Sequence, residues 1–506
     1  VTIGRATSIA LHGLEGTLVP VEADVLQGLP KVHMVGMPDA SVRQSQHRTW
    51  SAMRHSGFTP PETKVVINLT PASLPKAGSH FDLAIAIALL RASRVVPEEE
   101  SESTVCIGEL GLDGRLRPSR GVLPMVLAAQ RCGIARVVVP SANVPEAELV
   151  DDVSVIGAAS LAHAASALGA DIAPYPVEAI RFDEVEEAES QRLDMVDVLG
   201  NEAAIAALEL AAAGRHHMIM VGPPGAGKTM LAARLPTILP ELTTEQALEA
   251  ASVRSLTSER PSDRLDLSPP FESPHHSSTA ASLIGGGSAG QIRPGAAVRA
   301  GHGVLFLDEA PEFPRSVLDM LRQPIESGEV VIHRARGVAR FPASFQLVMA
   351  ANPCPCGKLG NGDCTCSSRE RMSYFSRLSG PLMDRIDLQV RVSRLSSVSR
   401  SAAQPSATSN EIRARVLEAR ARASHRLCDT PWRAMGEVSG TWLRKTHPLA
   451  QGETKAIDTA LERGLITMRG YDRILRMAWT TADLDSAPAP TSAHLARSLA
   501  FRKALQ

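Results

Sequence analysis

The feature that most restricts this chain is the run Gly222-Pro223-Pro224-Gly225-Ala226-Gly227-Lys228-Thr229. It follows the apolar Met218-Ile219-Met220-Val221 and precedes a helix-forming stretch from Met230 to Leu235. This is the pattern G-x-x-x-x-G-K-[ST] between a short buried strand and a helix. Glycines let backbone N–H groups approach phosphate, and the helix N-terminus adds a favourable dipole. Gly222, Pro223, Pro224, Gly225, Ala226 and Gly227 therefore form a candidate cradle for ATP. Lys228 is expected to reach the β- and γ-phosphates, and Thr229 to hold Mg²⁺ through its hydroxyl.

A second motif follows, Gly303-Val304-Leu305-Phe306-Leu307-Asp308-Glu309, an apolar strand ending in two acids. Asp308 suits the Mg²⁺ shell and Glu309 suits polarising the attacking water. Mg²⁺ keeps several waters, so one carboxylate and one hydroxyl are enough protein ligands. A third apolar strand, Gln346 to Ala350, leads to Asn352. An amide there can sense the γ-phosphate or orient water; the alternative is an Asx turn before Pro353. Lys228, Glu309 and Asn352 are thus the candidate catalytic groups of an ATP hydrolase.

At 506 residues the chain has room for about three domains. Residues 1–170 alternate β-like runs such as Lys64-Val65-Val66-Ile67-Asn68-Leu69 with Ala/Leu-rich helical stretches. Residues 171–194, with Glu184, Glu186, Glu187 and Glu189, read as an acidic linker. Residues 195–394 alternate short apolar strands with helices, which implies a mostly parallel α/β sheet. A Ser-rich linker, 395–410, leads to a helical part, 411–506. Aromatic residues are only 3%, so the cores must be built mainly from Ala, Val, Leu and Ile. The net charge of -1 excludes a basic coat, so any nucleic-acid contact needs a local patch. No run reaches the roughly 18 apolar residues of a membrane helix, and the first residues lack a signal peptide's apolar stretch. The expectation is a soluble, cytoplasmic protein with no membrane partner.

The stretches 221–232, 284–288, 292–295, 303–313, 351–357 and 380–388 carry a resemblance. Together they resemble the YifB/ComM family of magnesium-chelatase-like AAA+ ATPases, over nearly the whole chain. The resemblance implies a central AAA+ P-loop α/β domain, a C-terminal helical lid and a homo-hexameric ring with ATP between subunits. It implies that Asn352 is the sensor-1 residue. It implies that Arg385, in Asp384-Arg385-Ile386-Asp387-Leu388, is the arginine finger given to the neighbour's ATP, with Arg377 as its rival. A fixed guanidinium there offsets charge on the transferring phosphoryl oxygens. Arg469 or Arg473 is implied to be sensor 2, and the family pattern favours Arg469. Trp479-Thr480 stands where the family usually has Arg-Thr. Through Pro75-Lys76-Ala77-Gly78, Gly108-Glu109-Leu110 to Gly114-Arg115, and Ala128-Ala129-Gln130 to Val139-Pro140, the N-terminal part resembles the Lon-protease-like fold (ribosomal S5 domain 2-type). Its alignment puts His80 at the nucleophilic Ser position and Leu123 at the Lys position, so the Ser/Lys catalysts are missing. The expectation is a binding or ring-organising module.

Two features stand outside the ATP motifs. Four of the seven cysteines, Cys354, Cys356, Cys364 and Cys366, form C-x-C-x₇-C-x-C, a spacing that can wrap one Zn²⁺, with free thiols or disulfides as alternatives. Gly357, Gly360, Asn361 and Gly362 allow the turns needed. The run from Glu329 to Phe341 alternates apolar and polar residues around a turn and reads as a hairpin. Its Arg334, Arg336 and Arg340 are candidates for sequence-independent DNA phosphate contact; the alternative is a solvated charged hairpin. A second insert carries Arg293 and Arg299. The resemblance implies a helicase and branch-migration motor on single-stranded or branched DNA, acting in DNA uptake and recombination during natural transformation. The alternative is a chelatase-type remodeling ATPase acting on a metal-insertion or protein partner.

Overall fold

The computed structural model of the chain describes residues 3–98, 104–182, 193–257, 263–287, 292–334, 337–359, 364–394 and 406–503. Much of the acidic linker, part of the Ser-rich linker, Ser288, Arg336, Gly360, Asn361 and Gly362 lie outside the described residues.

A helix that is apolar on every side has no wet face and must be enclosed. The helix Asp82–Ala92 is such a helix, and all of its residues are buried. It lies against β1 (Ile3–His12) and β2 (Glu15–Leu26), an antiparallel pair. To these are added β3 (Lys31–Val35), β4 (Lys64–Leu69), β5 (Thr104–Cys106), β8 (Arg136–Pro140) and β9 (Ser154–Ala158). The seven strands run in the order β3-β4-β2-β1-β5-β8-β9. A small ribbon, β6 (Glu109–Leu110) with β7 (Leu116–Arg117), stands beside them.

The second sheet explains why its strands read as unbroken apolar runs. β10 (Met218–Val221), β14 (Val304–Leu307) and β17 (Gln346–Ala351) are buried at every position. Such strands belong to a parallel sheet covered on both faces. With β11 (Phe271–Glu272) and β18 (Leu388–Arg391) they form the order β11-β14-β17-β10-β18, parallel throughout. β10 pairs with β17 from Met218↔Val348 to Val221↔Ala351, so the loop after Val221 opens beside Asn352.

Two antiparallel ribbons interrupt this core. β12 (Gly285–Gly286) pairs with β13 (Arg293–Pro294). β15 (Glu329–Arg334) pairs with β16 (Gly337–Pro342), as the alternating sequence leads one to expect. After β18 the described chain is helical: Ser409–Arg426, Gly440–Thr446, Gln451–Glu462, Met468–Leu484 and Ser492–Lys503. The first of these opens with a reciprocal cap between Thr408 and Glu411. Its apolar side joins one core with the helices Glu202–Gly214 and Lys228–Ile238. Where the family pattern has Arg, Trp479 lies under Arg426, whose guanidinium carbon is 4.3 Å from the ring centroid.

Asp387 ties the lid to the sheet. It is buried, accepts from Arg473, and meets His216 Nδ1 at 3.1 Å. Burial alone would raise its pKa, but Arg473 and His216 outweigh that and hold the carboxyl well below the usual carboxylate range. A group with a depressed folded pKa contributes stability that is present above its unfolded value, near 4, and is lost as pH falls through the folded one. Asp387→Asn should therefore cost about 3–5 kcal/mol at neutral pH, because it strips a buried Arg of its counter-charge. Urea unfolding followed by tryptophan fluorescence tests this. The gap to the parent should narrow only below about pH 4; a gap unchanged through acid contradicts it.

Candidate nucleotide site

The loop after β10 is set by Gly227, whose φ of 89° lies in the left-handed region that favours glycine. It starts the helix Lys228–Ile238 with the N–H groups of its first turn turned toward the loop. Lys228 Nζ sits inside the curl. It donates to Gly222 O (2.7 Å), Pro223 O (3.2 Å) and Asn352 Oδ1 (3.1 Å). Burial lowers the pKa of its ammonium, with Asp308 and Glu309 acting against that.

The expected Mg²⁺ ligands meet directly: Thr229 Oγ1 donates to Asp308 Oδ2 at 2.7 Å. A Mg²⁺ ion would take a hydroxyl and a carboxylate oxygen from this pair. Glu309 follows with φ 50°, a conformation rare outside glycine and concentrated at functional sites. Its carboxylate faces His276 Nδ1 at 3.3 Å. Tyr374 stands near Asn352: burial pushes the pKa of its hydroxyl up to about 12, with the Asn352 backbone acting against that. Lys228, Thr229, Asp308, Glu309 and Asn352 thus converge on one place. The residues sequence reasoning missed are His276, Tyr374 and Arg394, whose Nε donates to Pro224 O at 3.0 Å. None carries a spacing signal; each arrives by folding from a distant stretch.

The expected arginines lie elsewhere. Arg385 donates to Pro381 O at 2.6 Å and pairs with Glu326. It lines an open cavity of about 480 Å³ together with Met320, Arg322, Pro324 and Val331. Arg377 pairs with Glu312 at 2.9 Å. Arg469 is 75% exposed and lies 3.6 Å from Asp384, next to Arg385 in sequence. Arg473 is only 11% exposed and is committed to Asp387. Of the two sensor-2 candidates, Arg469 is the one on the surface, against Asp384.

The four cysteines gather as their spacing allows. The sulfur of Cys354 is 3.3 Å from that of Cys356 and 3.7 Å from that of Cys364, and Cys356 to Cys364 is also 3.7 Å. All four ligand atoms, Cys366 included, lie within 4.8 Å of one another. Zinc–sulfur bonds of about 2.3 Å in a tetrahedron give sulfur separations near 3.8 Å, so the set fits zinc. All four are free cysteines in this structure. A backbone N–H from Lys358 and the Cys354 thiol draw Cys356 down to about 6, while neighbouring thiols push Cys364 up and Cys366 up to about 12.

On the hairpin, Arg340 is exposed and lies 3.4 Å from Glu329. Arg334 closes the described ladder opposite Gly337. Arg299 of the other insert is tied to Glu272 at 2.8 Å. It therefore braces β11 and is not presented to a polyanion.

Three models of known families match the chain in succession. They are described as subunit ChlI of Mg-chelatase (residues 21–143), magnesium chelatase, subunit ChlI (194–400), and magnesium chelatase, subunit ChlI C-terminal (406–502). The chain is 37% identical to the competence protein ComM of Haemophilus influenzae, across 98% of this chain and 96% of that one. It is 35% identical to the uncharacterized protein YifB of Escherichia coli, across 97% and 96%. This chain belongs to the YifB/ComM family of magnesium-chelatase-like AAA+ ATPases. An uncharacterized protein of Mycobacterium tuberculosis is 45% identical across 99% of both chains. A shorter match, 30% identical over 156 residues, joins 30% of the chain to 19% of the Lon protease of Mycolicibacterium smegmatis.

The Lon-like part of this family member has its polar groups engaged in other ways. Lys76 is fully buried and donates to Pro71 O, Ser79 donates to Glu109, and His80 Nε2 lies 2.8 Å from Ile9 O. Leu123 is buried in the helix Val122–Arg131. No Ser–Lys hydrogen bond occurs here among the described residues.

Lys228→Ala should weaken binding of ATP with Mg²⁺ by about two orders of magnitude, since it deletes a buried charge and leaves Asn352 without its donor. Isothermal titration with a non-hydrolysable ATP analogue tests this; unchanged affinity would remove Lys228 from the site.

Proposed function

We propose that this chain is the subunit of an ATP-hydrolysing homo-hexameric ring that works on single-stranded or branched DNA, as a helicase or branch-migration motor in DNA uptake and recombination. In this reading residues 195–394 are the motor, 411–506 the lid, and 1–170 a binding or ring-organising module. ATP and Mg²⁺ occupy the loop 222–229 and Asp308, Glu309 activates water, and Asn352 reads the γ-phosphate. Arg385 reaches the ATP of a neighbouring copy, with Arg469 beside it as sensor 2. Zinc is held by the four cysteines as a structural ion. The setting is the cytoplasm, where such DNA is found.

The observation that carries the reading is the link between the hairpin and the phosphate site. β15–β16 runs directly into β17, and β17 ends beside Asn352, the partner of Lys228. A change at the γ-phosphate therefore has a strand of six residues through which to reach a charged, exposed hairpin. Arg334, Arg336 and Arg340 supply charge for a sugar-phosphate backbone, and no aromatic residue interleaves them for base stacking. The competence function named for the Haemophilus influenzae relative points the same way. A second reading, a remodeling ATPase acting on a metal-insertion or protein partner, draws on the chelatase names of the matching families.

One set of assays separates them. ATPase activity should rise with single-stranded and forked DNA. Glu309→Gln should keep ATP binding and lose turnover by about a factor of 10²–10⁴, as removal of a general base does. Arg334→Ala should weaken DNA binding about equally for all sequences and lower its salt slope by roughly one, the share of a single neutralised phosphate. Absence of both DNA stimulation and salt-dependent DNA binding would sink the DNA-motor reading, and stimulation by a protein partner in its place would favour the second.

A further inference from the structure

The cysteine knuckle does not stand apart from the nucleotide site. Cys354 follows Asn352-Pro353, and Asn352 Oδ1 is the acceptor for Lys228 Nζ at 3.1 Å. Gly357, next after Cys356, presses on the phosphate loop from the other side. A Cβ built on Gly357 would lie 2.8 Å from both Cγ and Cδ of Pro224. Its φ of 72° is again left-handed, so the turn and the contact both require glycine. The turn is closed by Gly357 N–H to Cys354 O at 3.0 Å. The second cysteine pair runs into the helix Ser368–Ser376, which carries Tyr374 to the Asn352 backbone.

Two contacts with the ATP site therefore come from the segments that the four sulfurs gather, Gly357 on Pro224 and Asn352 on Lys228, and Tyr374 stands near Asn352. Between Ala351 and Ser368 the described chain has neither helix nor strand to hold these contacts in place. A metal tie can do so, because binding free energy at such a site is folding free energy for the chain that carries it. Four thiolate ligands leave zinc no open position for a catalytic water, which makes a structural role the fitting one.

We propose that zinc bound by Cys354, Cys356, Cys364 and Cys366 is a strut of the ATP site, fixing Gly357 against Pro224 and Asn352 against Lys228, so that nucleotide affinity depends on metal occupancy. The inference rests on the zinc and ATP assignments made above. Binding releases the thiol protons to solvent and involves no change of oxidation state. Ser368 to Ser376 and the turn 354–357 then move as one piece with the phosphate loop.

The test uses the full chain, with zinc per chain measured by elemental analysis and affinity by titration of fluorescent ATP with Mg²⁺. Gly357→Ala keeps all four thiols and should keep zinc near one per chain. It should weaken ATP binding about tenfold, the scale of overpacking a close contact. Adding Pro224→Ala, which removes the ring that the new methyl meets, should recover part of the loss relative to Pro224→Ala alone, the share due to the left-handed φ at Gly357 remaining. Stripping zinc with a zinc-selective chelator should give a similar loss, reversed by Zn²⁺ alone. Zinc at one per chain with unchanged ATP affinity in Gly357→Ala and after stripping overturns the strut and leaves the zinc assignment standing. Zinc well below one per chain in the parent overturns both, and a parent that binds no ATP overturns the nucleotide site itself.

Discussion

The hydrogen bond from Lys228 to Asn352 is the interaction on which the rest of the site depends. It exists because β10 and β17 are parallel neighbours in a fixed register, Val221 opposite Ala351. One strand delivers the phosphate loop and the other delivers an amide to the same point. β14 on the far side of β17 delivers Asp308 and Glu309 to the same edge. Ligands of open parallel sheets sit outside the carboxyl ends of the strands. Here three adjacent strand ends each contribute one kind of group: a glycine-rich loop, a pair of acids and an amide.

How much of this was legible depended on how local the signal was. The phosphate loop, the acid pair and Asn352 lie on or just after short apolar runs, so spacing alone located them. The strands began or ended within a residue of their expected bounds; Gly303 stands outside β14 because its N–H closes a turn onto Ala300 O. The hairpin was legible from its alternation. Asp387 with Arg473, 86 residues apart, was not, nor was Glu309 with His276. Such pairs form only when separate elements pack, and no periodicity encodes them. Arg469 and Arg473 look alike as sequence; what tells them apart is that one side chain is buried on a carboxylate and the other is not.

The Lon-like part joins the AAA+ domain by contacts that sequence could not reveal. Gly121 N–H bonds Ser255 O at 2.9 Å, joining the start of the helix Val122–Arg131 to the helix Thr244–Thr257. At the other end, the tight turn between β1 and β2 comes up to the hairpin. Any side chain on Gly13 would meet Arg340 O at 2.3 Å. Leu14 packs into the core beneath the hairpin. The Lon-like part is thus seated at the base of the charged ribbon.

The same reasoning bears on Arg385. In the single chain two nitrogens of its guanidinium are engaged, one by Glu326 and one by Pro381 O, beside an open cavity. On the ring proposal, a neighbour's polyphosphate must compete with Glu326 for it. The exchange trades one carboxylate for a more highly charged partner, so it is favoured only when nucleotide is present. An arginine parked on its own subunit until then keeps an unpaired cation out of the interface. It also links assembly to the state of the neighbour's site, because Glu326 is released only where phosphate takes its place.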